Sequence, residues 1–240
     1  MWDNPRLLNA AAGFLTALAL LVLSFAALQL LLRSSLFPLR AIDLRGVLAH
    51  TTLEQVEQAS HGRVSGNFFA VDLADVRASL ERLPWVRRVQ VRRVWPDRLE
   101  VTLEEHAALA RWSDGGLVNL QGERFSGRGD DAALPLFSGP QDSAGEVTLS
   151  YRRFVQILAP LGTGIEQLIL SPRHAWRLRL ADGLTIALGR DAPGDPVERR
   201  LERFVAVHAQ TLAIMQRSHE YVDLRYPNGF ALRIADLKGG

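Results

Sequence analysis

Cysteine is absent from the 240 residues, which excludes a disulfide framework, a thiolate zinc site, an iron–sulfur cluster and a thiol nucleophile. Lysine is nearly absent too: Lys238 stands alone, so the basic side of the charge balance is almost entirely arginine. With 28 Lys and Arg against 26 Asp and Glu the formal net charge is only +2, which argues against a dedicated nucleic-acid binder. The usual catalytic signatures are missing as well. The six histidines, at 50, 61, 106, 174, 208 and 219, form no H-x-x-x-H or HExxH pair, and there is no G-x-S-x-G, P-loop or G-x-G-x-x-G. Ser-x-x-Lys is impossible, because Ala235 stands three positions before the single lysine. No cofactor, metal or small-molecule substrate is called for.

What is present begins with a long apolar run. Between Arg6 and Arg33 no side chain is charged, and the 26 residues from Leu7 to Leu32 are mostly Leu, Ala, Val and Phe. As a helix they would extend roughly 39 Å at about 1.5 Å per residue, enough to cross a hydrocarbon core of about 30 Å. The run exceeds the apolar region of a signal peptide and follows a weakly charged start, which favours a retained single-pass anchor over the cleavage that Ser24-Phe25-Ala26 would otherwise allow. Arg33, Arg40 and Arg45 after the helix outnumber Arg6 before it, but long domains translocate largely regardless of charge, so composition leaves the orientation open.

After the anchor, Ala41 to Arg45 alternates as a short half-buried strand. Thr51 or Thr52 caps a helix over about 52 to 60, with Glu54 or Gln55 completing a capping box. Asp72 caps a second helix in which Leu73, Val76, Leu80 and Leu83 recur until Pro84 stops it. Strands follow at 85–94 and 98–105 around a Trp95-Pro96-Asp97 turn, with Trp85 and Trp95 expected to cover the sheet. The order strand, helix, helix, strand, strand describes a small α+β module, with helices on one sheet face. Arg87, Arg88, Arg92 and Arg93 form the densest basic run, with Glu81, Asp97, Glu100 and Glu104 around it in sequence, and on adjacent strands such charges are expected to pair across the sheet instead of binding polyanions. Glu104 and Glu105 read as a solvated strand end.

From Ala107 the pattern becomes mixed α/β dominated by antiparallel pairing. It predicts strands near 108–112 and 116–120, a helix near 147–160, and strands at 165–170, 175–181 and 184–189, the last two joined by Asp182-Gly183. Asp195-Pro196 opens a long helix with Val197, Leu201, Phe204, His208, Leu212 and Met215 on one face. His208 suits a core or boundary position there. Tyr221 to Tyr226 and Phe230 to Ile234, around Pro227-Asn228-Gly229, close the fold, with the last strand as an edge. Strict alternation would put Tyr221, Asp223 and Arg225 on one face and Val222, Leu224 and Tyr226 on the other. Either tyrosine could serve the core or a partner equally well.

Taken together and in order, several short motifs carry a resemblance. Phe37-Pro38-Leu39, Ile42-Asp43-Leu44-Arg45-Gly46, Gly66-Asn67-Phe68-Phe69, Leu83-Pro84-Trp85-Val86 and Arg92-Arg93-Val94-Trp95-Pro96-Asp97-Arg98-Leu99 resemble the POTRA domain of the bacterial division family FtsQ. Ala110-Arg111-Trp112, Val118-Asn119, Gly122-Glu123-Arg124-Phe125 and Tyr221-Val222-Asp223-Leu224-Arg225-Tyr226 continue it to the end of the chain. The resemblance implies a bitopic inner-membrane protein: residues 1–6 cytoplasmic, 7–32 spanning, a POTRA domain at 37–106 and a β domain at 107–236 in the periplasm, and a short tail at 237–240. It further implies no catalysis but a scaffold that binds FtsB and FtsL and joins early division proteins to septal wall synthesis.

The resemblance places the FtsB-binding surface on the terminal strands. Tyr226, Gly229 and Phe230 match it, with Arg225, Tyr221 and Leu232 beside them and Arg173 as a further contact. Pro84, Trp85, Val86, Arg93, Trp95 and Pro96 carry the POTRA motif, in a structural or a recruiting role. A POTRA-bearing component of a transport or outer-membrane assembly machine is the rival reading. Such proteins usually repeat the unit ahead of a β-barrel, whereas one unit here follows a membrane helix.

Overall fold

The computed structural model describes residues 5–33, 37–62, 64, 67–129, 132–208, 219–226 and 229–234. The chain divides into two compact units, Met1–Glu105 and His106–Gly240. The first opens with α1 (Pro5–Arg33), whose segment Leu8–Leu30 is long and apolar enough to cross a membrane, with a mean hydropathy of 2.3.

The rest of this unit is α+β: β1 (Ala41–Arg45), α2 (Leu53–Ser60), α3 (Leu73–Leu80), β2 (Val86–Val94) and β3 (Arg98–Glu105). The sheet order is β1-β3-β2, with β1 parallel and β2 antiparallel to the central strand. Local chemistry sets the helix starts. Thr52 and Gln55 form a reciprocal capping box, and the Asp72 carboxylate accepts the N–H groups of Ala74 and Asp75. The second helix ends at Leu80, ahead of Pro84, and Leu83 packs on the core from the turn that follows.

One face of this sheet, through Val89, Leu99, Val101 and Leu103, packs against Val56, Val76 and Leu80 of the helices. The other face carries the expected charge pairs. Arg92 and Glu100 meet through two bonds at 2.7 and 2.9 Å, Arg45 adds a 3.2 Å contact to the same carboxylate, and Arg87 pairs with Glu104 at 2.7 Å. The Arg92 guanidinium, bonded to Glu100, holds that carboxyl below its ordinary range. Two residues depart from expectation. Trp85 is buried, but Trp95 sits in the β2–β3 turn, where it is 72% exposed and covers no sheet. Glu105 is not a solvated end: it shares the inward parity of Leu99, Val101 and Leu103, and its side chain is only 7% exposed.

The second unit holds β4 (Ala108–Trp112), β5 (Leu117–Asn119), β6 (Arg124–Phe125), β7 (Leu136–Ser138), α4 (Ala144–Leu158) with a 3-10 turn at Ala159–Leu161, β8 (Ile165–Leu170), β9 (Ala175–Leu180), β10 (Thr185–Arg190), α5 (Val197–Val207), β11 (His219–Asp223) and β12 (Ala231–Ile234). These strands make one nine-stranded sheet in the order β12-β11-β10-β9-β8-β7-β4-β5-β6. Most neighbours are antiparallel, and β4/β7, β7/β8 and β10/β11 are parallel. Strand β9 shows the pattern that makes the layers: Trp176, Leu178 and Leu180 are buried, while Arg177 and Arg179 face solvent. Phe137, Phe154, Leu201 and Phe204 join that buried side in one core. Helix α5 buries Val197, Leu201 and Phe204 as its spacing predicts, and His208 lies half-buried at its end; Leu212 and Met215 lie outside the described residues.

Candidate functional site

The last strands place the candidate residues. β11 runs parallel to β10, with Thr185 opposite Tyr221 and Ala187 opposite Asp223. β12 pairs with β11 antiparallel, Val222 opposite Leu232 and Asp223 opposite Ala231, and among the described residues it is the outermost strand of its sheet. An outermost strand keeps a row of backbone N–H and C=O groups on its free side, which an extended peptide can pair with.

Alternation along 221–226 holds only in part. Val222 and Leu224 are buried, but the strand ends at Asp223 and Tyr226 is 53% exposed, so it does not share their face. The cause is local: the Asp223 carboxylate accepts the Arg225 N–H at 3.1 Å, an Asx-type turn, while the Leu224 N–H still donates to Ala187. Tyr226 is therefore no core residue. Tyr221 is half-buried, with the Arg233 guanidinium 5.6 Å from its ring centre.

Arg225 is pinned at this edge by its ion pair with Asp223. Its guanidinium Nε lies 2.8 and 3.0 Å from the two oxygens of buried Asp223, while its own side chain is 61% exposed. The hydrogen bond from Arg225 outweighs burial and holds the Asp223 carboxyl below its ordinary value; Asp223 in turn raises the arginine. Beneath them Gly189 adopts φ +78 at a bulge in β10. A Cβ there would lie 2.9 Å from the Arg225 Cγ and 3.4 Å from an Arg200 nitrogen. Arg200 is buried and fully engaged: it donates to the Leu188, Arg190 and Asp195 carbonyls and to the Asp195 carboxylate, at 2.6–2.9 Å. It ties the start of α5 to the end of β10.

The remaining candidates divide by burial. Gly229 is exposed, whereas Phe230 meets Phe204 edge-on at 5.8 Å and Leu232 packs on the core, so these two side chains brace the strand. A hollow of about 310 Å³ is lined by Arg200, Arg203, Phe204 and Val207 from α5 and by Leu224, Gly229 and Phe230. Arg173 is exposed in the β8–β9 turn. Because Ala175 pairs with Arg190, that turn lies at the same end of the sheet as residues 224–226, about 10 Å across from β11 by strand spacing. The topology thus gathers Arg173, Arg225, Tyr226 and Gly229 at one corner. Sequence reasoning missed Asp223, Gly189 and Arg200, whose roles depend on pairing between distant strands.

The POTRA-motif residues lie in the other unit. Val86 is core; Trp85 stacks on His50 at 3.6 Å; Arg93 donates to the Phe68 and Val71 carbonyls at 2.9 and 2.6 Å. Pro84, Trp95 and Pro96 are exposed. Glu105, missed as a working residue, accepts the backbone N–H groups of Ala49, His50 and Thr51 at 2.7–3.3 Å. Burial pushes its carboxyl up, but the bonds from Thr51, Ala49 and His50 prevail and leave it below its ordinary value.

Comparison with known proteins gives a consistent result. Residues 37–106 match the profile of the FtsQ-type POTRA domain, and residues 110–225 match that of the C-terminal region of cell division protein FtsQ/DivIB. The chain is 44% identical over 240 residues to the cell division protein FtsQ of Burkholderia pseudomallei, covering 99% of this chain and 96% of that one. It is 42% identical to the FtsQ of Nitrosospira multiformis, with 97% and 99% covered, and 30% identical to that of Neisseria gonorrhoeae, with 98% and 96% covered.

Proposed function

The chain belongs to the FtsQ/DivIB family of cell division proteins, and from that premise we propose that it is a non-enzymatic scaffold of the division machinery. In this reading it is a bitopic inner-membrane protein of the septum. Residues 1–6 are cytoplasmic, and a POTRA domain (37–106) and a β domain (107–236) lie in the periplasm. The β domain binds FtsB and FtsL and so links early division proteins to septal peptidoglycan synthesis. The missing catalytic signatures agree with a protein that works by binding alone.

The observation that carries the reading is the terminal edge. Among the described residues β12 ends the sheet, and at its start lie Gly229, exposed Tyr226 and an Arg225 held in place by Asp223. A partner segment added to β12 as a tenth strand would gain backbone hydrogen bonds along 231–234, while Tyr226, Arg225 and Arg173 at the corner would select its side chains. Tyr and Arg are the residue types that dominate interface energetics when they are desolvated. Phe230 and Leu232 act beneath the strand, keeping it flat against the core, and Tyr221 flanks it.

Amide hydrogen exchange of the chain with and without the periplasmic part of FtsB tests the proposal. Amides of 229–234 should slow markedly on addition of the partner. Unchanged exchange there, with protection elsewhere, would move the site off the terminal edge.

A further inference from the structure

One end of the POTRA unit gathers exposed aromatic residues. Asn67 bridges Pro38, the Phe68 N–H donates to the Phe37 carbonyl at 2.8 Å, and the Arg40 N–H donates to the Asp97 carbonyl at 2.9 Å. Arg93, two residues before Trp95, ties β2 to the carbonyls of Phe68 and Val71. The 67–71 loop, the β2–β3 turn and the entry to β1 therefore share that end. There Trp95 is 72% exposed and Phe69 44%, and Phe37 meets Phe69 edge-on at 5.3 Å. Arg40 and Arg98 flank them with side chains 73% and 56% exposed.

This end is also the one the anchor enters. α1 stops at Arg33, and Phe37 follows four residues later, a span of at most about 14 Å for an extended chain. The loop after β1, with Val47 90% exposed, lies at the opposite end, about 15 Å further by the rise of a strand. An exposed tryptophan and phenylalanine tethered this closely to a bilayer lie where amphipathic rings are most favourable, at the headgroup boundary.

We propose that Trp95 and Phe69 insert into the interfacial layer of the bilayer that α1 spans, so that the POTRA domain rests on the membrane instead of hanging from its tether. The contact rests on reading α1 as a retained span. Asp97 and Asp43, 3.7–3.9 Å from the Arg40 and Arg98 guanidiniums, offset their charge. The attraction is therefore mainly aromatic, holds on zwitterionic lipid and tolerates salt. Arg40 and Arg98 supply donors for lipid phosphate oxygens at the rim.

The chain has no cysteine, so a single spin label reports one site. Full-length Ala70→Cys and Val47→Cys proteins, labelled and reconstituted in phosphatidylcholine nanodiscs, are compared by electron paramagnetic resonance for access to oxygen and to a water-soluble nickel chelate. The oxygen-to-nickel ratio should be severalfold higher at 70 than at 47. Adding Trp95→Ser and Phe69→Ser should bring position 70 to the value at 47 without lowering the unfolding temperature. A ratio at 70 equal to that at 47, or one the double substitution leaves unchanged, overturns the contact and returns Trp95 to the surface open to protein partners. A chain that fails to enter nanodiscs at all overturns the span itself, a failure distinct from that of the contact.

Discussion

Gly189→Ala perturbs the corner that holds Arg225 without replacing any proposed contact residue. At φ +78 an alanine sits in the left-handed region, at a cost of about 1–2 kcal/mol. Its methyl would also lie 2.9 Å from the Arg225 Cγ, too close to keep, and a flexible side chain is what must move. Displacing Arg225 loosens its pairing with Asp223, worth about 1 kcal/mol or less for so exposed a guanidinium. The sum is about 2 kcal/mol, a fall of several degrees in Tm at about 3–4 °C per kcal/mol. Thermal unfolding of Gly189→Ala, Arg225→Ala and the double variant separates the parts. The steric portion should vanish once Arg225 is gone, so the two losses should sum to more than the double variant shows. Partner binding should weaken in Gly189→Ala even below its Tm. Strict additivity, with binding untouched, would refute the claim that the β10 bulge seats Arg225.

Glu105→Ala should cost about 2–3 kcal/mol, because the buried Thr51 N–H loses its acceptor, and should speed hydrogen exchange at 49–51; Glu105→Gln, which keeps one acceptor oxygen, should lose less. Both Glu105 and Asp223 have lowered carboxyl values in the fold, so each stabilises fully above its ordinary value of 4.5 or 3.8. Each contribution is lost as the pH falls through the lowered folded value, so the gap between wild type and Asp223→Asn in urea unfolding should close in acid. The two tryptophans of the POTRA motif should separate cleanly in thermal melts: Trp85→Ala costs about 3–5 kcal/mol, whereas Trp95→Ala stays within about 0.5 kcal/mol.

Much of the POTRA unit was legible because its signals are local. Thr52 with Gln55, and Asp72 ahead of an apolar helix face, mark starts that depend on three or four residues. The cross-strand charge pairs followed from one tight turn that fixes register. The second unit was legible where hairpins join neighbours, as at Asp182-Gly183, and illegible where short segments pair at long range. β6 and β7 have two and three residues, too few for any period to register, and β7 is held by parallel partners in β4 and β8. Tyr226 defied alternation because an Asx turn at Asp223 intervenes, a bond invisible to a period-two rule. Glu105 was different: its parity with Leu99, Val101 and Leu103 already pointed inward, and only the habit of solvating an acidic strand end hid it.

The most direct test of the proposed scaffold is the affinity of the purified chain for the periplasmic part of FtsB, wild type against Tyr226→Ala. Tyr226 is 53% exposed and outside the core, so its truncation should leave thermal unfolding within about 0.5 kcal/mol while reducing binding at least tenfold, about 1.4 kcal/mol. Equal affinities in two equally folded proteins would contradict the assignment of the terminal corner as the partner site.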